Sequence, residues 1–244
     1  MKAFLLAASL LAGGAASAAD ITVLSSTGLT TTFEALTATF EAKSGDHLIV
    51  TFATTGQLKK RIDEGEAFDL CILTAPIVDD LIKSGKISGA RSDLAKSGVG
   101  VSMKKGAKKP DISTPEAFKQ TLLAAKSVAY TSTGASGIYF LQLADKLGIG
   151  EAIKAKAHTT PGGPAGELVA KGEAELAIQQ ISELLPVAGT ELNGPLTPEL
   201  QTITVFSAGL SAHAANPSGA RALVAFLTSP DAVATIRLKG MDPG

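Results

Sequence analysis

The chain has 244 residues, of which 45% are hydrophobic and 18% are charged, and its formal net charge is −1. This balance is typical of a globular protein with a sizeable core, and it argues against a disordered or membrane-embedded chain. A charge near zero disfavours nucleic acid as a partner. With no tryptophan and an aromatic content of 5%, sites that stack sugars or bases on rings are also disfavoured.

The first 19 residues have the features of a secretory signal peptide. Lys2 supplies a positive start, residues 3–11 are apolar or small, and small residues form a cleavage pattern around Ala18 and Ala19. The apolar run is short for a bilayer span, so a membrane anchor or a buried N-terminal helix is the less favoured interpretation. The sequence therefore predicts export to the periplasm or an equivalent extracytoplasmic space, with cleavage after Ala18 or Ala19.

Hydrophobic periodicity predicts strands that alternate with helices along the rest of the chain. The predicted strands are residues 21–24, 48–52, 68–73, 97–103, 127–130, 175–179 and 203–210. The predicted helices are residues 29–42, 57–64, 77–83, 113–124, 138–147, 151–156, a segment ending at residue 170, 218–228 and 231–238. Residues 186–198, rich in glycine and proline, are predicted to form a loop, and residues 159–164 are predicted to form a turn. Because parallel strands need crossover helices, the pattern predicts an α/β protein of two domains with mostly parallel sheets.

Three turns rich in hydroxyl groups and glycine follow predicted strands, at residues 25–28, 54–56 and 131–137. In open α/β sheets ligands bind beyond the carboxyl ends of the strands, so we expect these turns and Gln179-Gln180 to lie together. Helix N-termini and hydroxyl groups can hold an anion without a countercharge. Any one turn alone could equally be a helix N-cap, but their recurrence at one topological position favours an anion site.

Signs of catalysis are weaker, and no catalytic residue is predicted. None of the histidines, His47, His158 and His213, has a neighbour at metal-ligand spacing, so neither a metal site nor a cofactor is expected. The single cysteine, Cys71, lies in an apolar strand pattern and is interpreted as a buried small side chain. His158 and Asp69 are the remaining candidates for a base, and Asp69 is interpreted preferentially as a structural acceptor at a strand end.

Several segments together resemble a known family. They are residues 21–23 leading to 28–30, residues 51–56, residues 65–69, residues 136–139 with 147–148, and residues 172–178. In these segments the chain resembles the periplasmic solute-binding proteins of ABC importers, close to the molybdate-binding type. The resemblance covers nearly all of the chain after the signal peptide.

The resemblance implies the type II periplasmic binding protein fold. Two α/β lobes, each a mostly parallel sheet flanked by helices, are joined by two crossing strands and close on a ligand. Lobe one is then residues 20–98 with 207–244, and lobe two is residues 99–206. The predicted strands at 97–103 and 203–210 would form the hinge between them.

The resemblance also implies a ligand site, transferred position by position. A serine of the molybdate pocket falls on Gly28, which has no hydroxyl, a second serine falls on Thr55, which keeps one, and a tyrosine falls on Gln180. Backbone donors fall at Ser136 and near Gly162. Hydroxyl groups just before the glycine are expected to replace the lost one. The full set of expected ligand-binding residues is Ser26, Thr27, Gly28, Thr54, Thr55, Ser136, Gly137, Gly162 and Gln180.

By this resemblance the protein is expected to be the extracytoplasmic substrate-binding component of an ABC importer and not an enzyme. It would act as a monomer that captures a small anion and delivers it to a permease in the inner membrane. The family implies a molybdate-type oxyanion, and the wider space at Gln180 makes a di- or tricarboxylate the alternative. Two further hypotheses remain open, a sensor subunit that feeds a receptor and an exported enzyme that uses Asp69 or His158 as base.

Overall fold

A computed structural model of the protein describes residues 18–244. The predicted signal peptide therefore lies outside the described residues, except for its last two positions, Ala18 and Ala19. Within residues 18–244, no helix combines the length and the apolar character that crossing a membrane requires.

Ten strands of the described chain form one continuous mixed sheet. They are β1 (Asp20–Ser26), β2 (His47–Ala53), β3 (Leu70–Thr74), β4 (Ile87–Lys104), β5 (Val128–Thr131), β6 (Ala157–Thr160), β7 (Leu176–Gln180), β8 (Thr190–Pro195), β9 (Ile203–Ser211) and β10 (Asp242–Pro243). The main path through the sheet is β2-β1-β3-β9-β4-β7-β5-β6, and β8 and β10 both pair with β4. The predicted α/β class is confirmed.

Helices alternate with these strands. They are α1 (Thr30–Ser44), α2 (Thr55–Asp63), α3 (Ala75–Lys83), α4 (Pro115–Ala124), α5 (Ala135–Lys146), α6 (Gly150–Lys154), α7 (Gly166–Ala170), α8 (Ile181–Leu184), α9 (Pro217–Leu227) and α10 (Pro230–Leu238). A 3-10 turn, Thr27–Leu29, precedes α1. Proline occupies the first turn of α3, α4, α9 and α10, where its missing N–H has no partner to lose.

The first lobe contains β1–β3, β9, α1–α3, α9 and α10. Strand β1 lies between β2 and β3 and is parallel to both. Alternate residues of β3 face opposite helical layers: Leu70 and Ile72 pack in the cluster with α1 and α9, whereas Cys71 and Leu73 pack in the cluster with α2 and α3. A parallel strand buried on both faces is a continuous apolar run, which is why the sequence predicts β3 and a buried Cys71 correctly.

The second lobe contains β5–β8 and α4–α8. Strand β5 lies between β6 and β7 and is parallel to both. One cluster, built around Phe118 and Phe140, covers one face, and a smaller cluster with Val169 and Leu184 covers the other. The two lobes therefore repeat the same plan of a parallel sheet between helical layers.

Two strands connect the lobes. Strand β4 pairs with β9 from Ile87 to Gly98 and with β7 from Val99 onward, so one strand belongs to both lobes. Both predicted hinge strands are present, although β4 begins at Ile87 and not at residue 97. The lobe limits given by the resemblance, residues 20–98 with 207–244 and residues 99–206, stay a prediction.

Two local predictions are wrong, and a third strand segment was not predicted. The loop expected at 186–198 contains β8, which pairs with β4. The turn expected from residue 159 contains the end of β6, which pairs with β5. No strand is predicted for the first part of β4, which pairs with β9. In each case the strand depends on backbone pairing with a neighbour, and a segment rich in glycine or short polar side chains carries little local signal for that.

Asp69 connects the sheet of the first lobe to α9. Its Oδ2 accepts a hydrogen bond from the Thr22 N–H (2.8 Å), and its Oδ1 accepts one from the Asn216 N–H (2.8 Å). Asn216 in turn caps α9 by accepting from the Gly219 N–H (2.9 Å). The carboxylate is buried and bonded on both oxygens, which agrees with the preferred interpretation of Asp69 as a structural acceptor.

We expect Asp69→Asn to lower the free energy of unfolding by about 1–3 kcal/mol, because an amide nitrogen cannot accept one of the two backbone bonds. Urea unfolding followed by circular dichroism measures the change. Asp63→Asn is the control, since Asp63 forms an exposed ion pair with Lys59, and it should change stability by less than about 0.5 kcal/mol. Equal stability of Asp69→Asn and wild type would contradict the structural role.

Candidate functional site

One wall of the cleft between the lobes comes from the ends of β1 and β2. Ser26 ends β1, and Thr27 opens the 3-10 turn. After β2, the Thr54 hydroxyl accepts from the Gln57 N–H (3.4 Å) while Gln57 Oε1 accepts from the Thr54 N–H (3.1 Å). This reciprocal capping box fixes the N-terminus of α2, with Thr55 at its first position, against the cleft.

The opposite wall comes from the second lobe, where α5 begins at Ala135 after Gly134. The first turn of α5 packs directly on the end of β5: a Cβ added at Gly137 would lie 1.8 Å from the Thr131 carbonyl oxygen. Only glycine allows this approach. The N-termini of α2 and α5 therefore border the same space from opposite sides, and their partial positive charges favour an anion between them.

A carboxyl group also lies in this cleft. Glu183, in the short helix α8, is buried, and its Oε1 accepts a hydrogen bond from the Thr27 hydroxyl (2.8 Å). Burial raises the pKa of Glu183 to about 7, against the opposing effect of the hydrogen bond from the Thr27 hydroxyl. Removal from water disfavours the charged form, so this side chain changes its protonation state near neutral pH.

The wall residues enclose a cavity of about 20 Å³, which is room for roughly one water molecule. Its lining is mainly polar and contains a single ionisable group and a single aromatic ring. The lining residues are Ser26, Thr27, Thr54, Thr55, Gly134, Ala135, Gln180, Glu183 and Phe206. An organic anion is far larger than this volume, so its entry requires the lobes to separate.

Hydrogen bonds between uncharged groups hold the lobes together around the cavity. The Thr54 and Thr133 hydroxyl oxygens are 3.0 Å apart across the cleft. The Pro161 carbonyl accepts from the Thr133 hydroxyl (2.6 Å) within the second lobe and from Gln57 Nε2 (3.2 Å) of the first lobe. The structure is therefore a closed state whose lobes are joined without an ion pair at these contacts.

Gln180 lines the cavity, but its amide is bonded to the crossing strands. Its Oε1 accepts from the Thr204 hydroxyl (2.6 Å) of β9, and its Nε2 lies within bonding distance of the Ser97 (3.0 Å) and Gly98 (3.2 Å) carbonyls of β4, with the amide oriented to satisfy all three. These contacts account for the donors and the acceptor of the amide. Gln180 thus connects the floor of the cleft to both hinge strands.

Residues 21–242 match the family described as bacterial extracellular solute-binding protein. The chain belongs to this family. Over 230 residues this solute-binding protein is 36% identical to aconitate isomerase of Pseudomonas sp, covering 91% of this chain and 87% of that protein. Over 237 residues it is 28% identical to the molybdate-binding protein ModA of Azotobacter vinelandii, covering 93% of this chain and 91% of that protein.

The fold agrees with the family. The solved structure of the periplasmic molybdate-binding protein of Azotobacter vinelandii has a TM-score of 0.78 to this solute-binding protein at 18% identity, covering 91% of this chain and 98% of that one. The resemblance to molybdate-type solute-binding proteins and the two-lobed fold are thereby confirmed.

The structure brings together five of the nine residues predicted to bind ligand. Those that line the cavity are Ser26, Thr27, Thr54, Thr55 and Gln180. The other four do not line it. Gly28 lies under the Phe206 ring, and Ser136 and Gly137 are buried in the first turn of α5. A Cβ added at Gly162 would lie 3.6 Å from Gln57 Oε1 and 3.8 Å from Thr54 Cγ2 of the first lobe. Ligand contact stays a prediction for all nine.

Four cavity residues are absent from the predicted set: Gly134, Ala135, Glu183 and Phe206. Gly134 and Ala135 lie within the hydroxyl turn predicted at residues 131–137, whereas Glu183 and Phe206 lie outside all three hydroxyl turns. The position of Glu183, just past the carboxyl end of a buried strand, was an available signal, since ligands bind there in α/β folds. The two bases considered from the sequence are elsewhere: Asp69 is a structural acceptor, and His158 is exposed on β6. In the described part of the chain, His, Cys, Asp and Glu side chains form no group of three that could hold a metal ion.

The raised pKa of Glu183 predicts a pH-dependent stability. The unfolded chain releases this proton near its ordinary pKa of 4.5, whereas the folded protein keeps it to about pH 7. The contribution of Glu183 to the free energy of unfolding is therefore fully present below pH 4.5, and it is lost as the pH rises towards 7. As the pH rises from 4.5 to 7, the free energy of unfolding of Glu183→Gln should therefore increase relative to that of wild type, by at most about 3 kcal/mol. This is an upper limit because opening of the lobes would return the carboxylate to water without unfolding the protein.

Urea unfolding of both proteins at pH 5, 6, 7 and 8 measures this difference. Glu167→Gln is the matched control, because Glu167 is exposed on α7 and forms only a surface ion pair with Lys171. Its stability should run parallel to that of wild type at every pH. A Glu183→Gln profile that also runs parallel would show that the carboxyl is not held neutral.

Proposed function

We propose that this solute-binding protein binds a small unsaturated tricarboxylate of the aconitate class and isomerises it by proton transfer, with Glu183 as the acid–base group. The observation that carries the proposal is the buried Glu183 carboxyl, with a pKa raised to about 7, in a cleft whose other polar groups are uncharged. Catalytic acids and bases work best when their pKa lies near the working pH. The 36% identity to an aconitate isomerase supports the choice of substrate.

The electrostatics of the cleft favour this proposal over passive capture of a dianion. An ionised carboxylate at the cavity wall repels an anion, so a site built only for binding gains nothing from Glu183. A neutral Glu183 can instead donate a hydrogen bond to a substrate carboxylate, and an ionised one can take a proton from carbon. The helix N-termini of α2 and α5 would hold the remaining negative charge.

The reaction needs only one movable proton. A proton leaves the methylene carbon of aconitate for Glu183, and the electron pair left behind spreads through the double bond into a neighbouring carboxylate. A proton from Glu183 then returns to the other end of the allylic system. The double bond moves by one position, the composition is unchanged, and Glu183 recovers its starting state.

Thr27 is the positioning residue for Glu183 in this proposal, and Gln179 anchors the end of the strand that precedes it. Thr27 donates to Glu183 Oε1 from the opposite lobe, so the carboxyl is oriented only when the lobes close. Gln179 is fully buried and donates to the Thr131 hydroxyl (2.8 Å) and the Gly163 carbonyl (3.0 Å), and its Oε1 accepts from the Ala165 N–H (2.6 Å). Gln179 therefore ties the Glu183 region to two loops of the second lobe.

Conversion of cis- to trans-aconitate, followed by proton NMR or chromatography, tests the activity directly. We expect turnover by wild type and a fall in kcat of about 10²- to 10⁴-fold in Glu183→Gln, the range for loss of a general acid–base group. Glu167→Gln should keep the wild-type rate. Turnover that survives Glu183→Gln would remove Glu183 from the mechanism.

The same enzyme should show a pH-dependent kcat/KM. Proton removal from carbon needs ionised Glu183 in the free protein, and its pKa is raised to about 7. We therefore expect kcat/KM to fall about tenfold per pH unit below 7 and to level off above it. A profile that is flat from pH 5 to 8 would contradict the assignment of this carboxyl as the base.

The second candidate function is capture of an anion for an ABC importer. Family membership favours it, and so does the closed state, in which the lobes meet through hydrogen bonds that a ligand could exchange. The protein would then act as a monomer outside the cytoplasm, after cleavage at Ala18 or Ala19, and deliver its ligand to an inner-membrane permease. The ligand would be the same tricarboxylate, another small carboxylate, or a molybdate-type oxyanion.

Thermal unfolding with cis-aconitate, trans-aconitate, citrate, molybdate and sulfate separates the two candidates. A ligand at a hundredfold excess over Kd stabilises the protein by about 2.7 kcal/mol. Stabilisation by a tricarboxylate without turnover would favour the importer function. Stabilisation by molybdate alone would contradict the proposed substrate class.

A further inference from the structure

The Phe206 ring forms the apolar part of the cavity wall. Phe206 belongs to the hinge strand β9 and is 2% exposed. Its ring is directed end-on at the α-carbon of Gly28: a Cβ added there would lie 2.6 Å from Cζ and 3.2 Å from both Cε1 and Cε2. The equal distances to the two Cε atoms show that the ring tip occupies the position of a side chain at residue 28.

Gly28 is therefore matched to this ring and not to a special backbone conformation. Its φ is not positive, unlike that of the turn glycines in the chain. A serine at position 28 would collide with the aromatic carbon, and the ring cannot retreat easily because Phe206 is packed in the core of the first lobe. Positions 28 and 206 therefore form one unit: a polar side chain at position 28 and a phenyl ring at position 206 exclude each other.

This unit gives the cavity lining two unlike kinds of surface. Thr27, Thr54 and Thr55 bring hydroxyl groups to the lining, whereas the phenyl ring presents hydrocarbon that can neither donate nor accept a hydrogen bond. A tetrahedral oxyanion carries oxygen atoms in every direction, so at least one would face the ring without a donor. A planar unsaturated acid has a hydrocarbon face that suits the ring and carboxylates at its edge that suit the hydroxyl groups.

We propose that Phe206, with Gly28 leaving room for its ring, is the specificity-determining residue of the cleft. It selects planar unsaturated carboxylates over tetrahedral oxyanions. The inference rests on the proposed function in that the cleft accepts a small carboxylate, but it concerns binding and does not depend on turnover. Loss of one required hydrogen bond to a buried anion weakens binding by about ten- to a hundredfold, which sets the size of the expected discrimination.

Calorimetric Kd values for trans-aconitate, its saturated counterpart propane-1,2,3-tricarboxylate, and molybdate test the proposal. We expect wild type to bind trans-aconitate at least about tenfold more tightly than either competitor. In Phe206→Leu, which keeps an apolar side chain of similar bulk, the preference over the saturated acid should shrink towards one. Phe226→Leu is the matched control, since Phe226 packs on Phe40 (ring centroids 5.5 Å apart) and does not line the cavity.

The double variant Gly28→Ser with Phe206→Ala exchanges the ring for a hydroxyl. It should bind trans-aconitate at least about tenfold more weakly than wild type and molybdate at least about tenfold more tightly. If the double variant does not fold, Phe206→Leu alone tests whether the ring sets the ligand preference. Unchanged ratios of Kd in Phe206→Leu, or a wild type that prefers molybdate, would overturn the proposal. If wild type discriminates as expected but does not isomerise aconitate, only the proposed isomerase function is contradicted. If wild type binds none of these anions, the proposed function and the selectivity of Phe206 are both overturned.

Discussion

The hydrogen bond between Thr27 and Glu183 joins the two lobes at the point where a carboxyl group leaves water. A carboxylate buried without a cation is costly, so burial in the closed protein favours the protonated form of Glu183. Thr27, which donates to this carboxyl from the opposite lobe, carries no charge. Closure and protonation are therefore linked: the same movement that completes the cavity also raises the affinity of Glu183 for a proton. In a binding protein this linkage has no evident use, whereas in an acid–base catalyst it prepares the group for its task.

The rest of the fold serves to bring uncharged donors to that point. Because β5 runs antiparallel to β1 and β2, the carboxyl ends of the strands in the two lobes point towards each other. The starts of α2 and α5 therefore face each other across the cleft, and Gln180 attaches the floor of the cleft to both crossing strands. The positive character of the cleft comes from backbone dipoles and hydroxyl groups, which need no countercharge and cannot be titrated. The only group in the cavity that changes charge near neutral pH is Glu183. With one buried carboxyl among these uncharged donors, the solute-binding fold becomes a candidate for proton transfer.

The parallel strands and the hydroxyl turns can be predicted from the sequence, because local residue patterns indicate both. Strand β3 is a continuous apolar run, and Thr54 with Gln57 lies at the spacing of a capping box. Strand β8 depends on pairing with β4, which leaves no local trace in a segment rich in glycine and proline. The position of Glu183 after a buried strand is visible in the sequence, but its burial is not, because that depends on contact with the opposite lobe. Phe206 is similar: its pattern reports a buried strand, but only the folded chain shows that its ring takes the space above Gly28. What sequence reasoning misses here is created by contacts between distant segments.

The contact between Thr54 and Thr133 has a consequence for affinity. In the closed protein these hydroxyl groups are hydrogen-bonded to each other, so a ligand that breaks this contact gains only the difference between its own hydrogen bonds and the one it replaces. The contact between the lobes therefore competes with ligand binding. The observed affinity equals the intrinsic affinity of the open form multiplied by the fraction of molecules that are open. Since Thr133 does not line the cavity, the strength of this contact can change through evolution without altering a single group that the ligand touches.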